Sequence, residues 1–540
     1  MFVPVLVAAS AVGLGLLLGL ATAGVGKVVG PLRTFALTTA LAVAGTHLLP
    51  EAFHELGAVG LAVFALGLSL PSILRLVQSL RPHHGGHGGD SALEFGYAGL
   101  LVHHVADGLG LGAYGRGEAL ELDVLLALAV HTVPLVAVVT LAYRSASGTR
   151  AAVYRSLGLA AASLLGIAVS VAVSPERAHE FEAWVAAGVA GLLVHVVTHD
   201  LDRDLPSSTP ARLFDVLAAV AGIAVSLAAA HEDVLGLLKS GARLLEIASY
   251  TTPPLVLAFL LAAAVDKWLP LRPEWALLSL RRTLLLREHP ERLRALPRRQ
   301  AYGQLVLAYA LGFEAILISL WLAGPIAEGL RLAGVLVLAL GASRLLPGGS
   351  HIATPVPESA AEHTFLQLFV DAARRTSPWL VTSILLTAVL DASLGPQALA
   401  PTGAPWVTIV IVALLALSAQ VEAAAATPVL AVLVHQGLPV GAALAGWIVI
   451  AAPGEAGLLA LLGIKPRPIA LMLGATVVVG TLLGCAVELV GASFAPLAAA
   501  ELAGSVGLPA ALIFGATVAY AIWKHGLRGW LGSVLAHEHH

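Results

Sequence analysis

Apolar runs of roughly 20 residues, the length of a helix that crosses a bilayer, recur from Phe2 to Trp523 with short polar breaks between them. Each run is continuous and rich in Leu, Ala, Val and Gly. A membrane barrel would instead show short segments with period-two alternation. The pattern predicts an all-α fold: a polytopic transmembrane helical bundle of about 17 spans in two membrane domains. In the first block the spans fall at about 2–24, 31–54, 57–79, 92–115, 121–143, 153–173, 181–200 and 211–230. Residues 231–253 are less hydrophobic and amphipathic and end in Pro253-Pro254, so they are read as a linker between domains. The second block, 254–530, has spans at about 254–269, 303–323, 331–346, 379–394, 405–420, 424–463 as a broken hairpin, 468–490 and 505–523. A histidine-containing tail, 531–540, follows.

Composition makes lipid the solvent. The chain has 540 residues, 58% hydrophobic and only 12% charged, with a mean hydropathy of +0.89, which is more apolar surface than a water-soluble core of this length hides. The net charge of −3, with basic residues confined to loops, gives no nucleic-acid partner. Loop charges orient the bundle instead. Lys27, Arg33, Arg75, Arg81, Arg144, Arg150, Arg155, Arg203 and Arg212 mark alternate loops as cytoplasmic, and the stretch 271–300 is the most basic of all. This puts the N-terminus outside and the C-terminus in the cytoplasm of an inner (plasma) membrane protein. The first run lacks a basic start and is long for a signal peptide, so it is read as a retained anchor. Cys485 is the single cysteine, so no intrachain disulfide or paired-thiol metal site forms and any metal must be held by His, Asp and Glu.

The densest local signal is His103-His104-Val-Ala-Asp107-Gly108, followed by His131-Thr-Val-Pro134. His103 and Asp107 are four residues apart and project from one helix face. Pro134 would free backbone carbonyls beside His131. Imidazoles and a carboxylate converging at bilayer depth suit zinc and related divalent ions, and a carboxylate placed in lipid is usually functional. The alternative is that the histidines stay neutral and hydrogen-bond between helices. His195 and His199 repeat the four-residue spacing, with Asp200 adjacent. His47 and Glu51 close the second span, and His83, His84 and His87 lie among glycines in the loop after the third; both groups are metal-gathering candidates.

These motifs resemble the Zrt/Irt-like (ZIP) metal transporter family over residues 1–230. The family's fourth-span signature, His-Asn-x-x-Asp/Glu-Gly, aligns on His103, His104, Asp107 and Gly108, and its fifth-span His-Glu-x-Pro aligns on His131, Thr132 and Pro134. The resemblance implies His103, Asp107 and His131 as metal ligands. Thr132 and Leu135 stand where the family has acidic residues, so two accounts stay open. Either His104, or His195 and His199, complete a remodelled site, or this half is a scaffold that no longer transports.

In the second block FLQLFVDAARRTSPWLVTSILLTAVL and AAAATPVLAVLVHQGLPVGAALAGWIVIAAPGEAGLLALLG resemble a family of predicted permeases that includes organoarsenical and copper/zinc exporters. The hairpin residues Gly437, Pro439, Gly441 and Ala442 are present; the family's cysteines are replaced by Glu422 and Ala423 to Ala426. Glu314 in mid-span, Glu422 before Pro428 and Glu455 after Pro453-Gly454 are read as a substrate or proton path. FLLAAAVDKWLP at 259–270 and SILLTAVLDASLGP at 383–396 suggest a degenerate internal repeat.

The expected function is transport of divalent transition-metal ions, zinc-like, across the inner membrane. The metal ion is the substrate, with no prosthetic group. The alternative is a metal-sensing or regulatory membrane protein whose first half binds an ion and gates the second half, which carries another substrate. No His-Glu-x-x-His or Gly-x-Ser-x-Gly motif is present, so no enzyme is expected. The partners are the lipid bilayer and the ion, with a homodimer left open.

Overall fold

The computed structural model describes residues 2–22, 26–45, 49–57, 59–68, 88–114, 122–172, 183–188, 190–191, 209–229, 234–268, 312–345, 364–394, 397–401, 404–419, 421–452, 466–491, 500–527 and 530. Among them the regular structure is helical throughout, with no strand. Among the described residues, five helices are long and apolar enough to cross a membrane: Phe2–Ala21, Thr149–Ala172, Gly241–Val265, Arg467–Val490 and Ser505–His525. Their outer faces carry large, mostly exposed apolar side chains, including Phe2, Leu14, Leu17, Leu482, Leu489 and Leu512. Water would penalise such faces at about 25 cal/mol per Å² and lipid does not.

The chain divides into two compact units, Met1–Lys239 with His525–Gly529, and Ser240–Lys524 with Trp530–His540. The first contains α1 (Phe2–Thr22), α2 (Gly26–Val43), α3 (Leu49–Leu56), α4 (Val59–Leu68), α5 (Gly88–Tyr114), α6 (Leu122–Ser147), α7 (Thr149–Ala172) and α8 (Thr209–Ala229). Helices pair as α5 with α7, α2 with α8, and α1 with α6. Between helices in lipid the hydrophobic effect supplies no attraction, so close packing over small residues takes its place. At the α5–α7 crossing a Cβ on Gly108 would lie 2.1 Å from the Ser163 carbonyl oxygen, and one on Gly166 would lie 2.0 Å from that of Val105. The two backbones therefore touch.

The second unit begins within the long helix α9 (Val234–Trp268), followed by α10 (Phe313–Leu322), α11 (Pro325–Leu345), α12 (Phe365–Ser393), α13 (Pro405–Ala419), α14 (Ala423–His435), α15 (Val440–Val449), α16 (Pro466–Val490) and α17 (Ala500–His525). The helix α9 runs straight through Pro253-Pro254, where the sequence alone suggests a stop. Pro254 removes the donor for the Tyr250 carbonyl, and the Trp321 indole N–H supplies a replacement at 3.0 Å. In α12 the carbonyl of Arg374, left over by Pro378, accepts the Ser377 hydroxyl at 3.3 Å.

At the centre of this unit is the hairpin α14–α15. Its arms are 13 and 10 residues long, about 20 and 15 Å at 1.5 Å per residue, too short to span a bilayer core of about 30 Å. Every residue from Gly441 to Val449 is buried, with α11, α13 and α16 packed around the second arm and α10 and α12 against the first. The turn is made by Gly437 at φ 99°, while Leu399 donates its N–H to the Gln436 carbonyl at 2.9 Å. The broken hairpin expected from the sequence thus has its first arm and turn at 423–439; residues 453–465 lie outside the described residues.

Candidate functional site

In α5 the exposed Val102 marks the outer face, and the next two positions turn inward: His103 is 3% and His104 1% exposed. His103 and Asp107 meet as the four-residue spacing requires, with Nε2 3.4 Å from Oδ2. His104 points to α7, where its Nδ1 is 3.0 Å from the Ser163 hydroxyl. The two rings are edge to face at 5.8 Å between centroids. The positioning comes from the glycine contact one turn along: with Gly108 and Gly166 holding the backbones together, a serine hydroxyl is long enough to reach the imidazole.

Ser163 is one of three buried serines on α7 at seven-residue spacing, with Ser156 and Ser170. The Ser156 hydroxyl is 2.9 Å from that of Thr140 on α6. Ser170 occupies the space left by Gly112 of α5. This face of α7 is a polar seam within an apolar unit, and His104 is part of it.

The other expected ligands fall wholly or partly outside the described residues. The backbone of His131 belongs to α6, but its side chain lies outside the description, and Thr132 beside it is buried. Glu51 is on α3, again without its side chain. His47, His83, His84, His87, His195, His199, Asp200 and Glu455 lie outside the described residues. Among the described residues no group of three or more His, Cys, Asp or Glu is placed to hold a metal ion. The structure brings His103 to Asp107 and sets His104 beside them.

In the second unit the acidic candidates are at helix starts. Glu314 is in the first turn of α10, whose N-cap is Gly312, and it is 4% exposed. Glu422 is the N-cap residue of α14 and makes no side-chain capping bond. Each carboxylate thus sits where a helix dipole favours negative charge, and α10 and α14 pack together.

Four groups of polar residues escape sequence reading. Asp215 of α8 is fully buried and accepts the Thr34 hydroxyl of α2 at 2.6 Å. Asp391 of α12 pairs with Arg243 of α9 and accepts the Gln436 amide at 3.2 Å. Glu488 of α16 accepts the Gly441 N–H at the start of α15 at 3.0 Å. Glu328 and Arg331 of α11 form a buried ion pair at 2.6 Å; the sequence puts Glu328 in a loop between spans. The available signal was the three-residue spacing of opposite charges in EGLR, which lets the pair neutralise itself on entering an apolar interior. Compared with known proteins, the chain matches no family model and no curated relative.

Proposed function

We propose that the protein transports a divalent transition-metal ion, zinc or a close relative, across the inner membrane, with His103 and Asp107 as two of the ligands in its first unit. The observation that carries this is the 3.4 Å separation of His103 Nε2 and Asp107 Oδ2 in a buried setting. That is long for a charge-assisted hydrogen bond. Two ligands at about 2.0–2.1 Å from a tetrahedral zinc ion stand roughly 3.4 Å apart, so the two atoms have the bite of a zinc chelate. The Asp107 carboxylate offsets one of the two charges of a dication in this low-dielectric interior. His131 supplies the third ligand, as the resemblance to ZIP transporters implies, and His104 is fixed beside them by Ser163. In the proposed orientation the N-terminus is outside and the basic stretch 271–300 is cytoplasmic.

Zinc binding and flux test this together. In the full-length protein reconstituted into liposomes, H103A/D107A is expected to lower zinc affinity by at least about 100-fold, the loss of two of three ligands, and to abolish zinc flux. Flux and affinity equal to those of the unchanged protein would remove the α5 site from the mechanism. Zinc binding by the unchanged protein without zinc flux would point to the regulatory alternative.

A further inference from the structure

The turn that joins the two half-length arms α14 and α15 is fastened from two sides. Gln436, the C-cap residue of α14, is 4% exposed. Its carbonyl accepts the Leu399 N–H at 2.9 Å, and its side-chain amide donates to Asp391 Oδ1, in the last turn of α12, at 3.2 Å. Gly437 lies so close to the segment 397–401 that a Cβ there would be 3.0 Å from the Gln397 Cα and 3.1 Å from the Ala400 nitrogen. Asp391 is held in turn by Arg243 of α9, whose Nε donates to Oδ2. The Arg243 Nη1 donates to Glu246, one turn further along α9, at 2.6 Å.

Several features of this tip are costly for a purely structural joint. Among the described residues the buried Gln436 Oε1 has no hydrogen-bond partner, and an unmet acceptor of this kind forfeits its hydration without a return. Gln397 is the one described residue other than glycine with a positive φ, 66°, a region that disfavours side chains. The Asp391 side chain, 5% exposed, keeps a carboxylate away from water. Strain that the surroundings hold in place collects at switch regions. Arg243 adds an asymmetry: it is 40% exposed and reaches two carboxylates at once, one buried and one 60% exposed. Letting go of Asp391 leaves the guanidinium paired with Glu246. The Asp391 carboxylate and the Gln436 amide are then freed to meet water, so the exchange strands no charge.

We propose that the tip of the α14–α15 hairpin is a gate and that Arg243 is its bolt, on Asp391 when the gate is closed and on Glu246 alone when it is open. The structure shows the closed state. Opening breaks the Leu399–Gln436 and Asp391–Gln436 bonds together and parts the segment 397–401 from the turn, while the buried run from Gly441 to Val449 keeps its packing. The hinge is Gly437 (φ 99°), followed by Pro439 as the N-cap of α15. Ends of half-length helices are where transporters meet their substrates, which gives a gate at this turn its use. The inference concerns the second unit and stands apart from the metal site of the first.

Amide hydrogen exchange of the full-length protein in lipid nanodiscs, read at Leu399 with the amides of 443–448 as an internal reference, tests it. In the parent protein Leu399 is expected to exchange at least about 10-fold faster than the reference, because the tip opens without the arms. Asp391→Asn removes the charge that Arg243 grips, and exchange at Leu399 is expected to quicken by roughly 10-fold or more with the reference unchanged. Glu246→Gln acts in the opposite sense. With its outer partner neutral, Arg243 stays on Asp391, and exchange at Leu399 is expected to slow by about 2- to 5-fold. That sign separates a gate from a tie: in a rigid joint Glu246 helps to hold Arg243 on Asp391, and its loss would quicken exchange. Because Glu246 is on the surface, this variant supplies the reading if Asp391→Asn folds poorly. Protection of Leu399 equal to the reference in the parent would overturn the proposal. So would an acceleration in Asp391→Asn that is missing at Leu399 or as large in the reference, or exchange in Glu246→Gln that quickens or stays the same.

Discussion

A buried imidazole has two ring nitrogens to satisfy, and the bond made by one fixes what the other is free to do. For His104 the fixed side is Nδ1, held 3.0 Å from the Ser163 hydroxyl. Replacing Ser163 by alanine removes that partner while leaving the ring 1% exposed, so a thermal melt in detergent is expected to show a loss of about 1–3 kcal/mol. A melt equal to that of the parent would mean that the imidazole finds another partner and that Ser163 does not set its orientation. The same reasoning shows how much of the site the sequence exposed. His103 and Asp107 were legible because both lie on one helix and the helical period alone decides that they meet. Ser163 was not legible, since it is 59 residues from His104 and nothing local marks it. Asp215 is the extreme case: a lone carboxylate in an apolar run, whose partner Thr34 is 181 residues upstream.

Helices that cross at backbone contact are sensitive to single methyl groups. A Cβ at position 166 would lie 2.0 Å from the Val105 carbonyl oxygen and 2.8 Å from the Cα of Gly108, and neither atom can move without shifting a helix. Gly166→Ala is expected to cost about 1–3 kcal/mol through overpacking and to break the His104–Ser163 bond. Gly474→Ala in α16, where a Cβ would meet nothing within 4 Å, is the matched control. It is expected to be neutral or to stabilise by up to about 1 kcal/mol through helix propensity. Equal melting temperatures for the two variants would contradict the packing described for α5 and α7. Helix interiors were the part of the fold that apolar runs predicted well; helix ends were not. A proline pair reads locally as a stop, yet α9 continues because Trp321, 71 residues away, bonds the Tyr250 carbonyl. The start of α10 at Gly312 is hidden for the opposite reason, since the apolar run continues across it.

At the scale of the whole chain, charge rather than apolarity carries the information about orientation. The stretch 271–300 contains Arg272, Arg281, Arg282, Arg287, Arg292, Arg294, Arg298 and Arg299, and translocating such a segment opposes the bias that sets membrane topology. Glu118 lies between two apolar runs that precede the basic Arg144 and Arg150, and the same bias predicts the opposite side for it. Because Cys485 is the single cysteine, a Cys485→Ser background is blank for thiol chemistry, and one cysteine introduced at a time reports its own side. Arg287→Cys is expected to react with a membrane-impermeant maleimide in inverted vesicles and to stay unlabelled in intact cells, whereas Glu118→Cys is expected to do the reverse. The pair forms an internal check, because a leaky membrane labels both positions from both sides. Reaction of the two from the same side would mean an even number of spans between them, and the alternation of charged loops would lose its meaning as a guide to orientation.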